Sequence, residues 1–375
     1  MLKILLGVLI LAVLVFVGYS VAGPFFNYLG NLRQPAETSP WTPPETVPMT
    51  SVTKIDGDSS ETGGTVLEPN KTSERMTAVT LPPEALLSKT ALTDNLNSAM
   101  TAGFTAVVVP LKTEGGALLY KSTAEMAVSA GIVTAPMTAT DISSAIKEMG
   151  MTPVCSINLL EDNTSFTDYR GVYKFASDES RWLDNRLENG GKPWISPFDA
   201  DATEYLRYIS DEVTKGGFEK VIFTGLVFPP FRNSDLNYIG DIVKSENRSD
   251  SLIKLFETVA KAAESNGAAV SLEVSAAGVA LGTKEAFIPA RLGGASVVLR
   301  YSEADLPKTI IENGREIVLT DMTPEARVTV IMTMCRDKAD GTALIPYLSG
   351  LDPNTEGYAG ALSVILQMGF ESYIV

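Results

Sequence analysis

Hydrophobic and polar positions divide the chain into three stretches. From Ile4 to Val17 every residue is uncharged (ILLGVLILAVLVFV), and the apolar character continues with interruptions to Phe26. Together these span roughly 20 residues at ~1.5 Å rise each, enough to cross a bilayer. Lys3 and the terminal amine precede the run, so the positive-inside bias places the rest of the chain outside the cytoplasm. A cleaved signal peptide is the competing reading, because Ser20 and Ala22 put small residues where a signal peptidase reads them. Val21, Phe25 and Phe26 keep the segment apolar past that cut, which favours a membrane anchor over residues 1–32. Arg33–Arg75 changes character. Of its 43 residues, 26 are Pro, Thr, Ser, Asp or Glu, too polar a mixture to offset the entropy of ordering. A disordered, stalk-like linker is expected there.

From Met76 to Val375 short β-rich runs alternate with amphipathic helical stretches, the pattern of a parallel sheet built from βα units. Strands are expected at Met76–Leu81, Phe104–Val109, Thr152–Asn158, Lys220–Gly225, Ala268–Ser275, Ala295–Tyr301, Thr342–Leu348 and Glu371–Val375. Arg315–Thr320 is a ninth candidate, an extra strand or loop piece. Asp199 caps one helix, which the Gly216-Gly217 pair stops. Thr323-Pro324-Glu325 opens another, and a third starts at Ser249 or Asp250 and closes at Gly267. Eight strands in 300 residues suit an α/β fold of the (β/α)8 TIM-barrel type. A doubly wound open sheet is the alternative, but no Gly-rich dinucleotide fingerprint follows the first strand.

Composition narrows the chemistry. The 375 residues carry 30 Lys and Arg against 45 Asp and Glu, a formal charge of −15. A nucleic-acid partner is therefore not expected, since neutralising phosphates needs a basic face. Histidine is absent, which removes Ser-His-Asp triads, Cys-His dyads and His-ligated metals. The two cysteines, Cys155 and Cys335, sit among apolar neighbours and read as free buried thiols. No cofactor motif and no metal-ligand spacing is visible, so any chemistry runs on carboxylates, Lys, Tyr or Ser.

In such a barrel the working face is where the strands end. Lys112 and Glu114 follow the second strand, Glu161 and Asp162 the third, and Asp352 the seventh. Thr224 stands at the end of the fourth, and no charge follows it until Arg232. Glu273 is the most informative position. It interrupts an apolar strand (VSLEV), where a carboxylate is costly unless it is partnered or faces the mouth. Loop carboxylates such as Glu161, Asp162 and Asp352 are more often solvated charges than chemistry.

Several stretches, in order, carry a resemblance. Trp194-Ile195-Ser196-Pro197, a helix, then GGFEKVIFTGLVFPP is similar to a W-V-D-P, helix, G-F-D-E-I-Q-F-D-Y-V-R-F-P pattern. VVPLKTEGGALLY (Val108–Tyr120) is similar to V-I-D-V-K-D-D-D-G-Y-V-T-Y, VSLEVSA (Val270–Ala276) to V-S-A-D-V-F-G, and ALIPYLSG (Ala343–Gly350) to an R-P-W-L-Q strand. These patterns belong to a bacterial "putative glycosyl hydrolase" family of exported TIM-barrel proteins, which Met76–Val375 resembles throughout.

The resemblance implies action on a polysaccharide or oligosaccharide by paired carboxyl groups. Glu273 keeps a carboxylate where the family has Asp. Pro110 and Thr224 stand where the family has two others, Val227 replaces an Arg, and Tyr347 and Ser349 replace Trp and Gln. Neither Pro nor Thr can serve as acid or base. Two readings follow. In one, the barrel is a membrane-tethered hydrolase whose chemistry uses Glu273 with Glu161, Asp162 or Asp352. In the other, which the substitutions favour, it is a non-catalytic descendant that binds glycan or protein. Trp182, Trp194 and Phe228 are the aromatic candidates for stacking on sugar rings, with Thr224 and Lys112 as polar contacts; core or loop anchoring is the competing role for the aromatics.

Overall fold

The computed structural model describes residues 75–162, 171–240, 243, 245–282, 289–312, 314–349, 351 and 355–375. The expected anchor (1–32) and all of the linker except Arg75 lie outside the described residues, as does Asp352. Among the described residues no helix is long and apolar enough to cross a membrane.

Eight parallel strands close into a barrel in the order β1 (Thr77–Thr80), β2 (Ala106–Lys112), β3 (Thr152–Asn158), β4 (Lys220–Thr224), β5 (Ala269–Ser275), β6 (Ser296–Tyr301), β9 (Leu344–Leu348) and β10 (Tyr373–Ile374), which returns to β1. The connecting helices include α1 (Lys89–Thr101), α2 (Glu125–Ser129), α3 (Ala139–Glu148), α4 (Ala200–Lys215), α5 (Asn233–Ile239), α6 (Ser245–Glu264), α7 (Ala276–Leu281), α8 (Pro324–Asp337) and α9 (Glu356–Gln367). This is a (β/α)8 barrel.

Successive strand residues face opposite ways, so each strand serves two cores. Ala78, Ala106, Val108, Val154, Ile222, Val298 and Ile374 fill the barrel interior. Their alternates, among them Val107, Cys155, Val221, Phe223, Leu272 and Val297, pack outward against the helices. On β5 and β6 the inward positions one step below Glu273 and Val298 are polar. The Ser271 and Ser296 hydroxyls lie 2.6 Å apart and satisfy each other.

Helix ends follow local chemistry. The Asp199 carboxylate accepts from Asp201 N at 2.9 Å and Ala202 N at 3.3 Å, and α4 then buries Ala202, Tyr205, Leu206, Ile209 and Val213 on one face. Thr323 Oγ1 accepts from Ala326 N at 3.3 Å, with Pro324 at the first position of α8. Helix α6 starts at Ser245, about a turn before the expected Ser249 or Asp250. A tertiary contact accompanies that extra turn: the Arg248 guanidinium sits 4.6 Å from the Phe228 ring centroid.

The ninth candidate strand is β8 (Arg315–Val318). It does not join the barrel but pairs antiparallel with β7 (Thr309–Glu312), which the sequence pattern missed. The Asn313-Gly314 dipeptide between them is the hairpin signal that could have revealed it.

Candidate functional site

The strand parity that fills the barrel also builds its mouth. One step above the interior cluster, the inward row holds Thr80, Pro110, Ser156, Thr224, Glu273, Arg300 and Tyr347, with Asn158 at the end of β3 and Glu161 in the turn beyond it. These residues line a cavity of about 380 Å³ at the carboxyl ends of the strands, in the size range of small-molecule sites. Pro110 has no N–H to offer the ladder. It pairs with Ser156 while Lys112 pairs with Ile157, leaving Leu111 as the extra residue of a bulge.

Glu273 is registered with Val298 of β6, next to the inward Arg300. Its Oε1 lies 3.4 Å from Arg300 Nε, while Arg300 Nη2 reaches Asp305 Oδ2 at 3.1 Å. Burial pushes the Glu273 carboxyl group up from an ordinary 4.5 to about 7. The Arg300 cation opposes that rise, and the Glu161 charge adds to it. Its side chain is 17% exposed, so it still opens to the cavity. Tyr347 completes this wall. Burial raises its phenol, and the Glu273 charge raises it further.

Glu161 belongs to the turn that follows β3. Asn158 Nδ2 donates to Glu161 Oε2 at 2.8 Å, and Glu161 N donates to Asn158 Oδ1 at 3.0 Å. Asp162, one residue on, is not a wall residue. Its carboxylate pairs with Lys112 Nζ at 2.9 Å, and neither side chain is exposed. Lys112 Nζ also donates to the Asn158 carbonyl at 3.0 Å. Lys112 borders the cavity at the end of β2, but its ammonium is turned into protein.

The aromatic candidates gather elsewhere. Trp182 is completely buried, with its ring centroid 6.0 Å from Tyr173 and 5.0 Å from Phe231. It has no free face for a sugar. Phe228 is buried 6.0 Å from Phe198 in the same cluster, capped by Arg248. Trp194 is half-buried and donates from Nε1 to Asp184 Oδ2 at 3.0 Å. None of the three lines the cavity. The structure thus brings Glu273, Glu161 and Thr224 to one cavity, holds Lys112 and Asp162 as a buried pair beside it, and sets the aromatics apart as packing.

Sequence reasoning missed Asn158, Arg300 and Tyr347. Counting every second residue down from the barrel core would have found Arg300 and Tyr347, because both share parity with the apolar interior positions. Among the described residues, no group of three His, Cys, Asp or Glu side chains could hold a metal ion.

A family model described as "Putative glycosyl hydrolase domain" matches residues 78–287, more than half of the 375-residue chain. No curated protein matches it. Among solved structures, the chain is similar to a hypothetical protein from Ruminiclostridium thermocellum ATCC 27405, at 19% identity over 52% of this chain and 96% of that one, TM-score 0.40. It is also similar to the PgaB (BpsB) glycoside hydrolase domain from Bordetella bronchiseptica, at 16% identity over 80% and 93% of the two chains, TM-score 0.49. A third is the glycoside hydrolase domain of PelA from Pseudomonas aeruginosa, at 13% identity over 80% and 93%, TM-score 0.40.

Proposed function

Because the chain belongs to the "putative glycosyl hydrolase domain" family, we propose that its barrel cleaves glycosidic bonds of a polysaccharide, with Glu273 and Glu161 as the working carboxyl pair. The observation that carries this reading is their shared cavity at the barrel mouth, close enough for the Glu161 charge to hold back ionisation of Glu273. A carboxyl group that keeps its proton near neutral pH is suited to protonate a departing glycosidic oxygen. Glu161 supplies the second group, attacking the anomeric carbon directly or taking a proton from the attacking water. The leaving sugar carries away the Glu273 proton as its hydroxyl hydrogen. After direct attack, water deprotonated by Glu273 hydrolyses the Glu161 glycosyl ester, its OH going to the sugar. When water is the nucleophile, Glu161 passes its proton to solvent and Glu273 takes one back.

Charge selects the substrate class. Lys112 is neutralised by Asp162 and Arg300 by Asp305, while Glu114 and Glu161 also line the cavity. The mouth therefore favours neutral or amino-bearing glycans over anionic ones. Residues Ile4–Phe26 would hold the barrel on the extracytoplasmic side of a membrane, at the end of the Pro/Thr-rich linker, facing envelope or environmental polysaccharide.

A specific observation favours a second reading. Pro110 and Thr224, which fill positions where the family resemblance leads one to expect acids, both line the same cavity. On that reading the mouth binds glycan or protein without cleaving it. Incubating the full-length chain with neutral, amino-bearing and anionic polysaccharides, and following both new reducing ends and retention on the polymer, separates the two. New reducing ends that disappear in Glu273→Gln support hydrolysis. Saturable retention with no new ends supports the binder.

A further inference from the structure

Lys112 and Asp162 are too deeply buried to touch a sugar, since both side chains have no exposure. Burying such a pair is costly, and replacing it with apolar residues is often neutral or better for stability. What this pair holds in place is visible in its contacts. Lys112 Nζ ties Asp162, at the end of the turn after β3, to the carbonyl of Asn158 at its start, 2.9 and 3.0 Å away. Glu161 lies between those two anchor points. Asn158 then grips Glu161 from both directions, donating to its carboxylate at 2.8 Å and accepting from its backbone N–H at 3.0 Å.

Flanking loops close the grip. Gly115 N donates to the Glu161 carbonyl at 2.6 Å, and Leu160 N donates to the Gly225 carbonyl at 3.2 Å. A Cβ at Gly116 would fall 1.9 Å from Asp162 Oδ1, and one at Gly225 would fall 2.3 Å from Asn158 Oδ1. Gly225 also has φ +62°, in the left-handed region. The two glycines leave the acid and the amide one position each.

We infer that Asn158, Lys112 and Asp162 are positioning residues, a brace whose task is to hold the Glu161 carboxylate in the cavity opposite Glu273. The inference rests on reading Glu161 and Glu273 as the working pair. It assigns to Lys112 and Asp162 a role through Glu161, with no contact to substrate. Among the described residues, the charged and titratable groups that face Glu273 are Arg300, Glu161 and Tyr347, so displacing Glu161 has a defined electrostatic signature.

The test is the titration of Glu273 in the full-length chain, followed by carboxyl carbon NMR with glutamate labelling and assigned by its loss in Glu273→Gln. It is read in wild type, Glu161→Gln, Asn158→Ala and the double variant Lys112→Met/Asp162→Leu. The double variant removes both charges together and so guards against simple misfolding, which melting curves report. Glu161→Gln should lower the Glu273 midpoint. The brace variants should lower it too, and should cut kcat by about 100-fold with little change in KM, as a misplaced reacting group does. If Glu161→Gln lowers the midpoint while folded brace variants keep the wild-type midpoint and kcat, the brace is overturned and the pair stands. If Glu161→Gln itself leaves the midpoint unmoved, the pair fails and the brace with it.

Discussion

Arg300 is shared between two carboxylates. Its Nε lies 3.4 Å from Glu273 Oε1, longer than a strong charge-assisted hydrogen bond, while its Nη2 is held by Asp305 at 3.1 Å. With Nη2 on Asp305 and only a long contact to Glu273, the guanidinium offsets only part of the burial that raises the Glu273 carboxyl to about 7.

Releasing that hold should move the titration in opposite directions. In Arg300→Met the cation that opposes protonation is gone, so the Glu273 midpoint should rise above 7. In Asp305→Asn the guanidinium is free to turn to Glu273, and the midpoint should fall. The basic limb of the pH–rate profile should follow each shift, because the proton donor is lost as pH rises. Both profiles remaining at the wild-type position would place control of Glu273 elsewhere.

Stability carries the same signature. Glu273 ionises at about 7 in the folded chain against 4.5 for an ordinary glutamate, so folding disfavours its charged form. The group's contribution is intact below about pH 4.5 and is lost as pH rises through 7. Glu273→Gln should therefore match wild type in denaturant unfolding at pH 4.5. At pH 8 it should exceed wild type by up to about 3 kcal/mol. An equal gain at both values would assign the effect to packing instead of ionisation.

The aromatic cluster separates packing from recognition. Trp182→Ala removes a fully buried ring that touches Tyr173 and Phe231, and should cost about 3–5 kcal/mol in unfolding free energy. Trp194→Ala removes a half-buried ring outside the cavity, so glycan binding and turnover should stay within a factor of about two of wild type, well under 1 kcal/mol. A larger loss of binding would extend the glycan groove to that loop.

The thiols are expected to be silent. Cys155 and Cys335 are free and buried. Burial drives the Cys155 thiol far up and the Cys335 thiol to about 12. Neither should react with a disulfide reagent at pH 8 on the native chain, and both should react once denaturant unfolds it.

The barrel was legible because its signal is local and repeated. An apolar run, a polar turn and a capped helix recur, and strand parity needs nothing beyond the run itself. Glu273 stood out for the same reason, as a charge in an apolar strand. Of the β7–β8 hairpin, Arg315–Val318 was legible as an extra strand candidate, whereas β7 escaped because its four residues carry too little period to separate from loop. Asn158 escaped because an amide at a strand end is ordinary in sequence, and only the fold brings Lys112, from another strand, to its carbonyl. Trp182 was open to both stacking and anchoring because sequence does not show which face of an aromatic is covered; the fold packs it with Tyr173 and Phe231 into the main core.

The division of labour between Glu273 and Glu161 meets its most direct test in leaving-group dependence. An activated aryl glycoside departs without a proton, whereas a natural glycosidic oxygen needs one. Once a cleaved glycan is identified, kcat/KM is measured for wild type, Glu273→Gln and Glu161→Gln on that glycan and on its aryl glycoside. The expected result is that Glu273→Gln loses about 100-fold or more on the natural bond and far less on the aryl one, while Glu161→Gln loses heavily on both. Wild-type rates for Glu273→Gln on the natural bond would contradict it.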